Sequence, residues 1–325
     1  MTMNTEEYNF DDITPVPVID DNDVVLCKIM YTEEFKTVFG YLRALLLKKE
    51  LSERALYVAC RAIELVPAHY TVWEYKLDIV KKLIETENFN LSDELKWCSN
   101  TAINNQKNYQ IWHYREMIIE LIIKKELDGD KSQYDLEKER EIVGTMLEKD
   151  EKNYHVWSYK RWFVQYFSLF NDETELEYAT KLIQDDIRNN SAWNFRHFLL
   201  FGNPEIKTIS TDVLSSEINF TIKMIELSIT NPSSWNYMKS LYDMSINVNY
   251  DVTDIEKIVY KFSADLDKSK LDQNIERVSI PAFELLSTIY GTQGLSDKQR
   301  EIFTLLGERL DPIRKNYWAY KSTLL

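Results

Sequence analysis

The chain is poor in the residues that form tight turns and covalent cross-links. Its 325 residues include only 7 Gly, 7 Pro and 3 Cys. Sandwiches and barrels of β-strands need frequent turns rich in Gly, Pro and Asn, so the composition disfavours both. The cysteines, Cys27, Cys60 and Cys98, are odd in number and form no C-x-x-C pair. This disfavours a disulfide framework and a zinc ribbon, and it predicts reduced, partly buried thiols.

Positive charge is also scarce, because 39 Lys and Arg stand against 53 Asp and Glu and leave a net charge of −14. Such a balance argues against broad binding to a nucleic-acid backbone. The apolar runs are too short and too often broken by charge to span a membrane. The acidic start of the chain does not resemble a signal peptide. The sequence therefore predicts a cytoplasmic protein with no nucleic-acid partner and no stable membrane insertion.

Tryptophan, in contrast, is abundant, and six of the eight share one sequence context. A polar residue, most often Asn, stands four positions before the Trp. An aromatic residue follows it after two positions, and Lys or Arg usually follows after three. The first four intervals are 39, 45, 36 and 42 residues, and the last, of 83, leaves room for a degenerate repeat near 281–290. The six are Trp73, Trp112, Trp157, Trp193, Trp235 and Trp318.

Each repeat is predicted to form a helix that contains the motif tryptophan, here called the Trp helix, followed by a second amphipathic helix. In the second repeat, Asn108 is suited to cap the Trp helix. A loop at 127–132 separates that helix from the next one, in which apolar residues again recur at helical spacing. Because a single hairpin cannot bury its apolar face, the hairpins must stack. We predict an all-α fold, an α-α superhelix (solenoid) of about seven helical hairpins. Residues 1–23, acidic and without Lys or Arg, are expected to form a flexible arm, and 24–325 a single domain.

The positions just before the tryptophans carry the groups that suggest chemistry. A cation stands five residues before each of three successive tryptophans: Lys107, Lys152 and Arg188. Equal offsets in stacked repeats lie side by side, with helix axes roughly 8–10 Å apart. Tyr109 and Gln110, then Tyr154 and His155, stand three and two residues before their Trp. A cation, a phenol and an imidazole at helix N-termini suit a phosphate or diphosphate. From the residues alone, a solvated loop remains the alternative.

The pattern N-Y-x-x-W-x-x-[RK], repeated every 36–45 residues, resembles the protein prenyltransferase α-subunit repeat. The stretches 107–115 and 152–157 are similar to the second and third repeats of the α subunits shared by protein farnesyltransferase and geranylgeranyltransferase type I. The similarity runs from about Tyr31 to the C-terminus and includes the segments 67–73 and 313–318. A single Trp-x-x-Arg would mean little, whereas six in register with these flanks are specific.

The resemblance implies the α subunit of a heterodimeric CaaX protein prenyltransferase. Such an enzyme transfers a C15 or C20 isoprenoid from its diphosphate to the cysteine of a C-terminal CaaX motif. In that family a crescent-shaped α subunit wraps and stabilises the β subunit of farnesyltransferase or geranylgeranyltransferase type I. The β subunit holds the zinc that keeps the substrate cysteine as a thiolate. The implied substrates are farnesyl or geranylgeranyl diphosphate and CaaX proteins such as Ras- and Rho-type GTPases, and magnesium is left open.

Site residues follow from the same resemblance, position by position. Lys107 and Tyr109 match the residues beside the diphosphate, whose departing charge needs positioned donors. Gln110 matches the glutamine that binds the terminal carboxylate of the peptide. The implied catalytic residues are Lys107, Tyr109 and His155. The implied substrate-binding residues are Gln110, Asn153, Tyr154, Ala68 and Tyr70. The four histidines take four different offsets from their Trp, so we expect no metal site in this chain.

Two alternatives remain at this stage. The α subunit of Rab geranylgeranyltransferase uses the same repeat, but it usually begins with a basic, His-containing segment, whereas this chain begins acidic. A non-catalytic scaffold of the tetratricopeptide kind would explain the tryptophan spacing and the length. It would not explain why Lys107, Tyr109, Gln110, Tyr154 and His155 all match, so the CaaX type is favoured over both.

Overall fold

The computed structural model describes residues 8–17, 29–86, 89–266 and 278–325. Across these ranges the regular secondary structure is helical, without a β-strand, which confirms the predicted all-α class. Within the same ranges no helix has both the length and the apolar composition needed to cross a bilayer. The chain divides into two compact units, Met1–Lys160 and Arg161–Leu325. The single domain over 24–325 stays a prediction.

The first unit consists of consecutive helices whose starts are set by short polar side chains. Several helices follow a residue whose side-chain oxygen accepts a hydrogen bond from a first-turn amide: Thr32, Ser52, Asn90 and Asp135. These are the residue types that cap helix N-termini best. The helices are α1 (Glu33–Lys48), α2 (Glu53–Leu65), α3 (Tyr70–Thr86), α4 (Leu91–Asn104), α5 (Gln110–Glu126), α6 (Leu136–Lys149) and α7 (Tyr154–Tyr166), whose last residues belong to the second unit.

Several close helix pairs lie on either side of the short turn that precedes a motif tryptophan. α2 packs against α3, and α4 packs against α5. Their turns span only 66–69 and 105–109, whereas the loop from α5 to α6 spans 127–135. The sequence pattern predicts the Trp helix as the first helix of each hairpin. The structure makes it the second helix of the close pair.

In the second unit the helices alternate in the same way. α8 packs against α9, α10 against α11 and α12 against α13. α14 packs against α15, the helix that carries Trp318. Together with α3, α5 and α7, the helices α9, α11, α13 and α15 make seven repeat helices in the described part of the chain, which confirms the predicted number. The bounds are α8 (Glu173–Asp185), α9 (Asn190–Phe201), α10 (Thr211–Leu227), α11 (Pro232–Asn247), α12 (Thr253–Ser263), α13 (Ile280–Thr292), α14 (Ser296–Leu305) and α15 (Lys315–Thr323).

The repeat that lacks a tryptophan is formed by α13. Phe283 is fully buried and stands four residues after Ser279, the residue before the helix. Trp235 stands at the same distance from Asn231 at the start of α11. Phe283 therefore takes the place of the tryptophan, and the predicted degenerate repeat near 281–290 is confirmed.

A buried ion pair joins α5 to α6. The guanidinium of Arg115 donates two hydrogen bonds of 2.7 Å to the carboxylate of Glu139, and these side chains are 2% and 0% exposed. Tyr159 of α7 donates to the same carboxylate, and its ring centroid lies 4.8 Å from that of Trp112. Burial, together with the charge of Glu139, raises the pKa of Tyr159 well above its ordinary value. The phenol therefore remains a proton donor to Glu139.

The same arrangement, here called the cation–Glu–Tyr cluster, occurs in both units. In each cluster the tyrosine follows the glutamate by 20 residues. The first cluster contains Lys76, which makes one contact of 2.8 Å with Glu94 and lies 4.0 Å over the ring of Trp97. Each cluster connects a Trp helix to the next two helices along the chain. The clusters are Lys76–Glu94–Tyr114, Arg115–Glu139–Tyr159 and Arg196–Glu217–Tyr237.

Part of the acidic N-terminal segment packs on the first two helices. Phe10 and Ile13 are buried, and the guanidinium of Arg54 donates to both carboxylate oxygens of Asp12 at 2.6 and 2.9 Å. This contact holds the pKa of Asp12 well below its usual range. The segment approaches α1 closely at Gly40, where an added Cβ would lie 3.1 Å from the Cβ of Pro15. Residues 8–17 thus belong to the packed structure of the first unit, and the rest of the predicted flexible arm, 1–7 and 18–23, lies outside the described residues.

We expect Glu139→Ala to lower the free energy of unfolding by about 3–5 kcal/mol, because it leaves the buried guanidinium of Arg115 without its partner. Urea denaturation followed by circular dichroism measures this loss. Glu141→Ala removes an exposed carboxylate from the same helix and should change the free energy by less than about 0.5 kcal/mol. Equal losses in the two variants would contradict the role given to the buried pair.

Candidate functional site

Exposed tyrosines stand at the starts of three consecutive Trp helices in the first unit. Tyr70, Tyr109 and Tyr154 are 70%, 58% and 77% exposed, although each lies three residues before a buried tryptophan. One helical turn therefore presents one aromatic side chain to the core and another to solvent. Large apolar side chains left exposed at equivalent positions are typical of a surface that binds a ligand or another chain.

The Asn before a Trp helix connects its own turn, by a side-chain hydrogen bond, to the turn before the preceding Trp helix. This hydrogen bond is here called the Asn tie. The side-chain oxygen of Asn153 accepts a hydrogen bond from the backbone amide of His155 at 3.1 Å, and its NH2 group donates to the carbonyl oxygen of Gln106 at 2.8 Å. The NH2 group of Asn108 donates in the same way to the carbonyl of Pro67 at 2.5 Å. Among the preferred capping residues only Asn carries its acceptor and its donor on two separate atoms, so that one can cap the helix while the other reaches the preceding turn. Ser or Asp at this position would still accept the hydrogen bond from the first-turn amide, but it would lose the hydrogen bond to the carbonyl of the preceding turn.

Lys107 lies in the turn 105–109, which the tie from Asn153 holds against the next repeat. Its side chain is 73% exposed and forms an ion pair with Asp150, the C-cap residue directly after α6. An ammonium group has three N–H donors. One contact with Asp150 therefore leaves donors for an anionic ligand, which is the chemistry that the sequence predicts here.

Gln110, the first residue of α5, is oriented by the preceding repeat. Its side-chain nitrogen donates to the carbonyl oxygen of Ala68 at 3.0 Å. An amide nitrogen carries two N–H donors, so one remains for another acceptor, such as a carboxylate. The structure thus brings Gln110 and Ala68 together, as their predicted roles in one substrate pocket require.

His155 lies between two of the exposed tyrosines. Its ring centroid is 6.2 Å from that of Tyr109 and 5.7 Å from that of Tyr154, the second pair in an edge-to-face arrangement. Aromatic pairs prefer such offset or edge-on geometries. The imidazole is half-buried while both phenols remain exposed, so the three rings form one polar aromatic surface beside the turn that carries Lys107.

A surface cleft of about 710 Å³ opens at this place. Residues 67–68, the turn 105–109 and the adjoining ends of α4 and α5 line it, so that Ala68, Lys107, Tyr109 and Gln110 all face one space. The cleft offers a cation, a phenol, an amide and an apolar wall. A second cleft, of about 380 Å³ between α4 and α6, contains none of the predicted site residues.

Among the described residues, no group of three or more His, Cys, Asp or Glu is placed to hold a metal ion. The zinc that the resemblance implies therefore has no ligand set in this part of the chain. Burial raises the pKa of the Cys98 thiol to about 12 and raises that of Cys60 as well. Both are weak nucleophiles for that reason, in agreement with the predicted reduced, partly buried thiols. Cys27 lies outside the described residues.

Some residues take places that their predicted roles did not anticipate. Asn153, a predicted substrate contact, is fully buried and uses both of its polar atoms within the protein. The repeat pattern does not mark Asp150 as a site residue, although an aspartate stands seven residues before both Trp157 and Trp193. Arg188 belongs to the second unit, so the predicted row of three cations stays a prediction.

Comparison with known proteins gives a family for these repeats. A sequence model described as the protein prenyltransferase alpha subunit repeat matches residues 91–122, 136–167 and 172–202. The first and third matched segments each contain a close helix pair found in the structure, α4 with α5 and α8 with α9, and the second covers α6 and α7. In the matched repeat the Trp helix is therefore the second helix of the unit, and the short turn before it joins the two helices.

Whole-chain relatives carry one name. A curated Candida albicans protein, the protein farnesyltransferase/geranylgeranyltransferase type-1 subunit alpha, is 38% identical over 99% of this chain and 99% of its own length. The protein of that name from Pisum sativum is 33% identical over 97% and 92%. A solved structure, Candida albicans protein geranylgeranyltransferase-I complexed with GGPP, superposes with a TM-score of 0.84 at 38% identity, covering 98% of both chains.

We expect Asn153→Asp to lower the free energy of unfolding by at least about 2 kcal/mol, because it keeps the cap but sets a carboxylate against the carbonyl of Gln106. Hydrogen exchange at the backbone amides of 105–110 should become faster, since the turn loses its tie. Asn100→Asp, which alters an exposed residue of α4, is the control. An unchanged rate of hydrogen exchange at 105–110 in Asn153→Asp would show that the hydrogen bond from Asn153 to Gln106 does not hold this turn.

Proposed function

Because the chain belongs to the family of protein farnesyltransferase/geranylgeranyltransferase type-1 α subunits, we propose that it works as the α subunit of a heterodimeric CaaX protein prenyltransferase. In this proposal a C15 or C20 isoprenoid passes from its diphosphate to the cysteine of a C-terminal CaaX motif. Whole-length similarity to proteins of that name supports it. The observation that carries it furthest is the joint placement of Lys107, Tyr109 and Gln110 on one cleft.

The chain's own contribution to transfer is made at the departing diphosphate. As the bond to the isoprenoid breaks, negative charge grows on the leaving phosphate oxygens, and donors already in place stabilise it without reorganisation. The exposed ammonium of Lys107 is such a donor, held in place through its contact with Asp150. The phenol of Tyr109 and the imidazole of His155 offer further hydrogen bonds beside it.

Gln110 is proposed to bind the other substrate. One N–H of its amide is held by the carbonyl of Ala68, and the second is directed by that contact. A free carboxylate at the end of a peptide is a suitable acceptor for it. Ala68 and the exposed Tyr70 then border the last side chain of the peptide, and Tyr154 adds a wall to the same surface.

A β subunit is the proposed partner, and it covers the exposed tyrosines of the first unit. The structural relative is a geranylgeranyltransferase-I bound to GGPP, which supports an isoprenoid diphosphate as ligand. Zinc held by the β subunit would supply the thiolate form of the substrate cysteine. Magnesium dependence stays open. The cytoplasm, where Ras- and Rho-type CaaX proteins are made, is the proposed location.

The two alternatives gain no support. The relatives named above are farnesyltransferase/geranylgeranyltransferase type-1 subunits, and neither is a Rab geranylgeranyltransferase subunit. A scaffold without a catalytic role would not need a cation and an oriented amide on one cleft. Co-expression with the β subunit of farnesyltransferase or geranylgeranyltransferase type I tests the proposal. A zinc-loaded complex that transfers no prenyl group to a CaaX peptide would refute it.

We expect Lys107→Ala to slow single-turnover transfer about 10²-fold, because a positioned donor to the leaving group is lost. Rapid-quench measurement with the purified heterodimer and a CaaX peptide gives the rate, and peptide affinity should change little. Lys124→Ala, which removes an exposed cation from the end of α5, should leave the rate within about twofold. An unchanged rate in Lys107→Ala would exclude the role of this ammonium.

Gln110→Ala should raise the KM for the peptide about tenfold while kcat stays nearly constant, because the lost hydrogen bond is made in both the ground state and the transition state. Gln110→Glu should weaken binding further, since two carboxylates would then face each other. Steady-state kinetics with varied peptide measures both effects. Gln133→Ala, in the loop before α6, is the control. A fall confined to kcat would contradict the assignment of Gln110 to the peptide carboxylate.

A further inference from the structure

We propose that Asp150 is a positioning residue for prenyl transfer, and that its carboxylate holds the ammonium of Lys107 at the place where the diphosphate departs. The inference rests on the proposed function, because it gives Asp150 a role in that same reaction. The sequence pattern that predicts a site does not include Asp150. Its role follows from the structure, where it contacts Lys107 from the next repeat, 43 residues further along the chain.

Lys107 needs such a partner because its own side chain is free to move. A lysine has a flexible four-carbon stem and a strongly hydrated head group. The side chain is 73% exposed, so protein packing restrains it little. A donor that moves among several positions stabilises a transition state less well than one that is already in place.

Asp150 is itself firmly held. It is the C-cap of α6. Its backbone amide donates to the carbonyl of Met146 at 3.1 Å, and its own carbonyl accepts from the amide of Asn153 at 3.0 Å. Its side chain is only 26% exposed. The carboxylate therefore extends from a backbone fixed on both sides, and it can serve as an anchor for the more mobile ammonium.

A second contact fixes the same two turns in register. The NH2 group of Asn153 donates to the carbonyl of Gln106 at 2.8 Å, and Gln106 is the residue next to Lys107. The backbone of Lys107 is thus tied to the turn 150–153 by Asn153, and its ammonium is tied to the same turn by Asp150. These two contacts determine both ends of the lysine side chain.

The charge of Asp150 also has an opposing effect. A carboxylate near the diphosphate repels it, and by neutralising Lys107 it could slow transfer instead of helping it. The two effects predict opposite results on removal of the carboxylate. If Asp150 positions the ammonium, its loss slows transfer, and if it mainly neutralises the ammonium, its loss accelerates transfer.

The test uses the heterodimer with its β subunit, zinc, an isoprenoid diphosphate and a CaaX peptide. We expect Asp150→Ala to lower the single-turnover rate about tenfold with little change in the KM for the peptide. Asp150→Asn keeps the acceptor without the charge and should lie between Asp150→Ala and the wild type. Asp150→Glu should have a single-turnover rate at least about threefold higher than Asp150→Ala, because it restores a charged contact with Lys107. Asp93→Asn removes an exposed carboxylate that pairs with Lys96 on α4 and should leave the rate within about twofold.

A double-mutant cycle separates positioning from a general structural role. If Asp150 acts through Lys107, Asp150→Ala should lower the rate by less than about twofold when Lys107 is already Ala, because the group it positions is absent. A purely structural defect would lower the rate equally in both backgrounds. Asp150→Asn is used in the same cycle if Asp150→Ala fails to assemble with the β subunit.

Three outcomes would overturn the inference. The first is an unchanged or faster rate in Asp150→Ala, and the second is an equal loss in the presence and absence of Lys107. Either result with an active wild-type complex would refute this role alone and leave the proposed function standing. The third is a zinc-loaded wild-type complex that transfers nothing, which would refute the proposed function and this role with it.

Discussion

Buried carboxylates that must be paired determine how this chain is arranged. A glutamate without water or a partner would be strongly unfavourable in the core, yet Glu94, Glu139 and Glu217 are almost completely buried. Each is satisfied by a cation from the Trp helix before it and by a tyrosine from the Trp helix after it. The cation, the glutamate and the tyrosine can contact one another only when the three consecutive helices that carry them pack in one register. Hydrophobic burial drives these helices together, and the cation–Glu–Tyr clusters determine which register they adopt.

The candidate site depends on the same register, because it is built on the turns that the clusters and the Asn ties hold together. Asn153 connects its turn to the carbonyl of Gln106, and Gln110 reaches the carbonyl of Ala68. Residues from three repeats therefore meet along one edge of the first unit. The tryptophans face the core from these helices, and the side chains that precede them by three and by five residues stay exposed. A rigid interior thus presents a row of polar and aromatic groups to a ligand and to a partner chain.

Much of this could be predicted from the sequence. The scarcity of Gly and Pro, the tryptophan spacing and the Asn caps predict the all-α class, seven repeats and the position of the repeat built around Phe283. The phase of the hairpins could not be predicted, because apolar spacing alone does not tell which of two flanking connections holds its helices closer. Asp150 was missed for a similar reason. Its partner lies 43 residues away, and no local pattern distinguishes an acid that faces a lysine from one that faces water.

The sequence by itself determined the helices, their number and the chemical character of the residues at each turn, because caps, apolar periodicity and residue type are local properties. Only the tertiary structure decided which of those residues meet. It buried Asn153, left Tyr154 exposed beside it, and brought Asp150 to Lys107. These outcomes depend on the distance between successive repeats. That distance is fixed by side chains that pair across the core, and a linear pattern of residue types does not contain it.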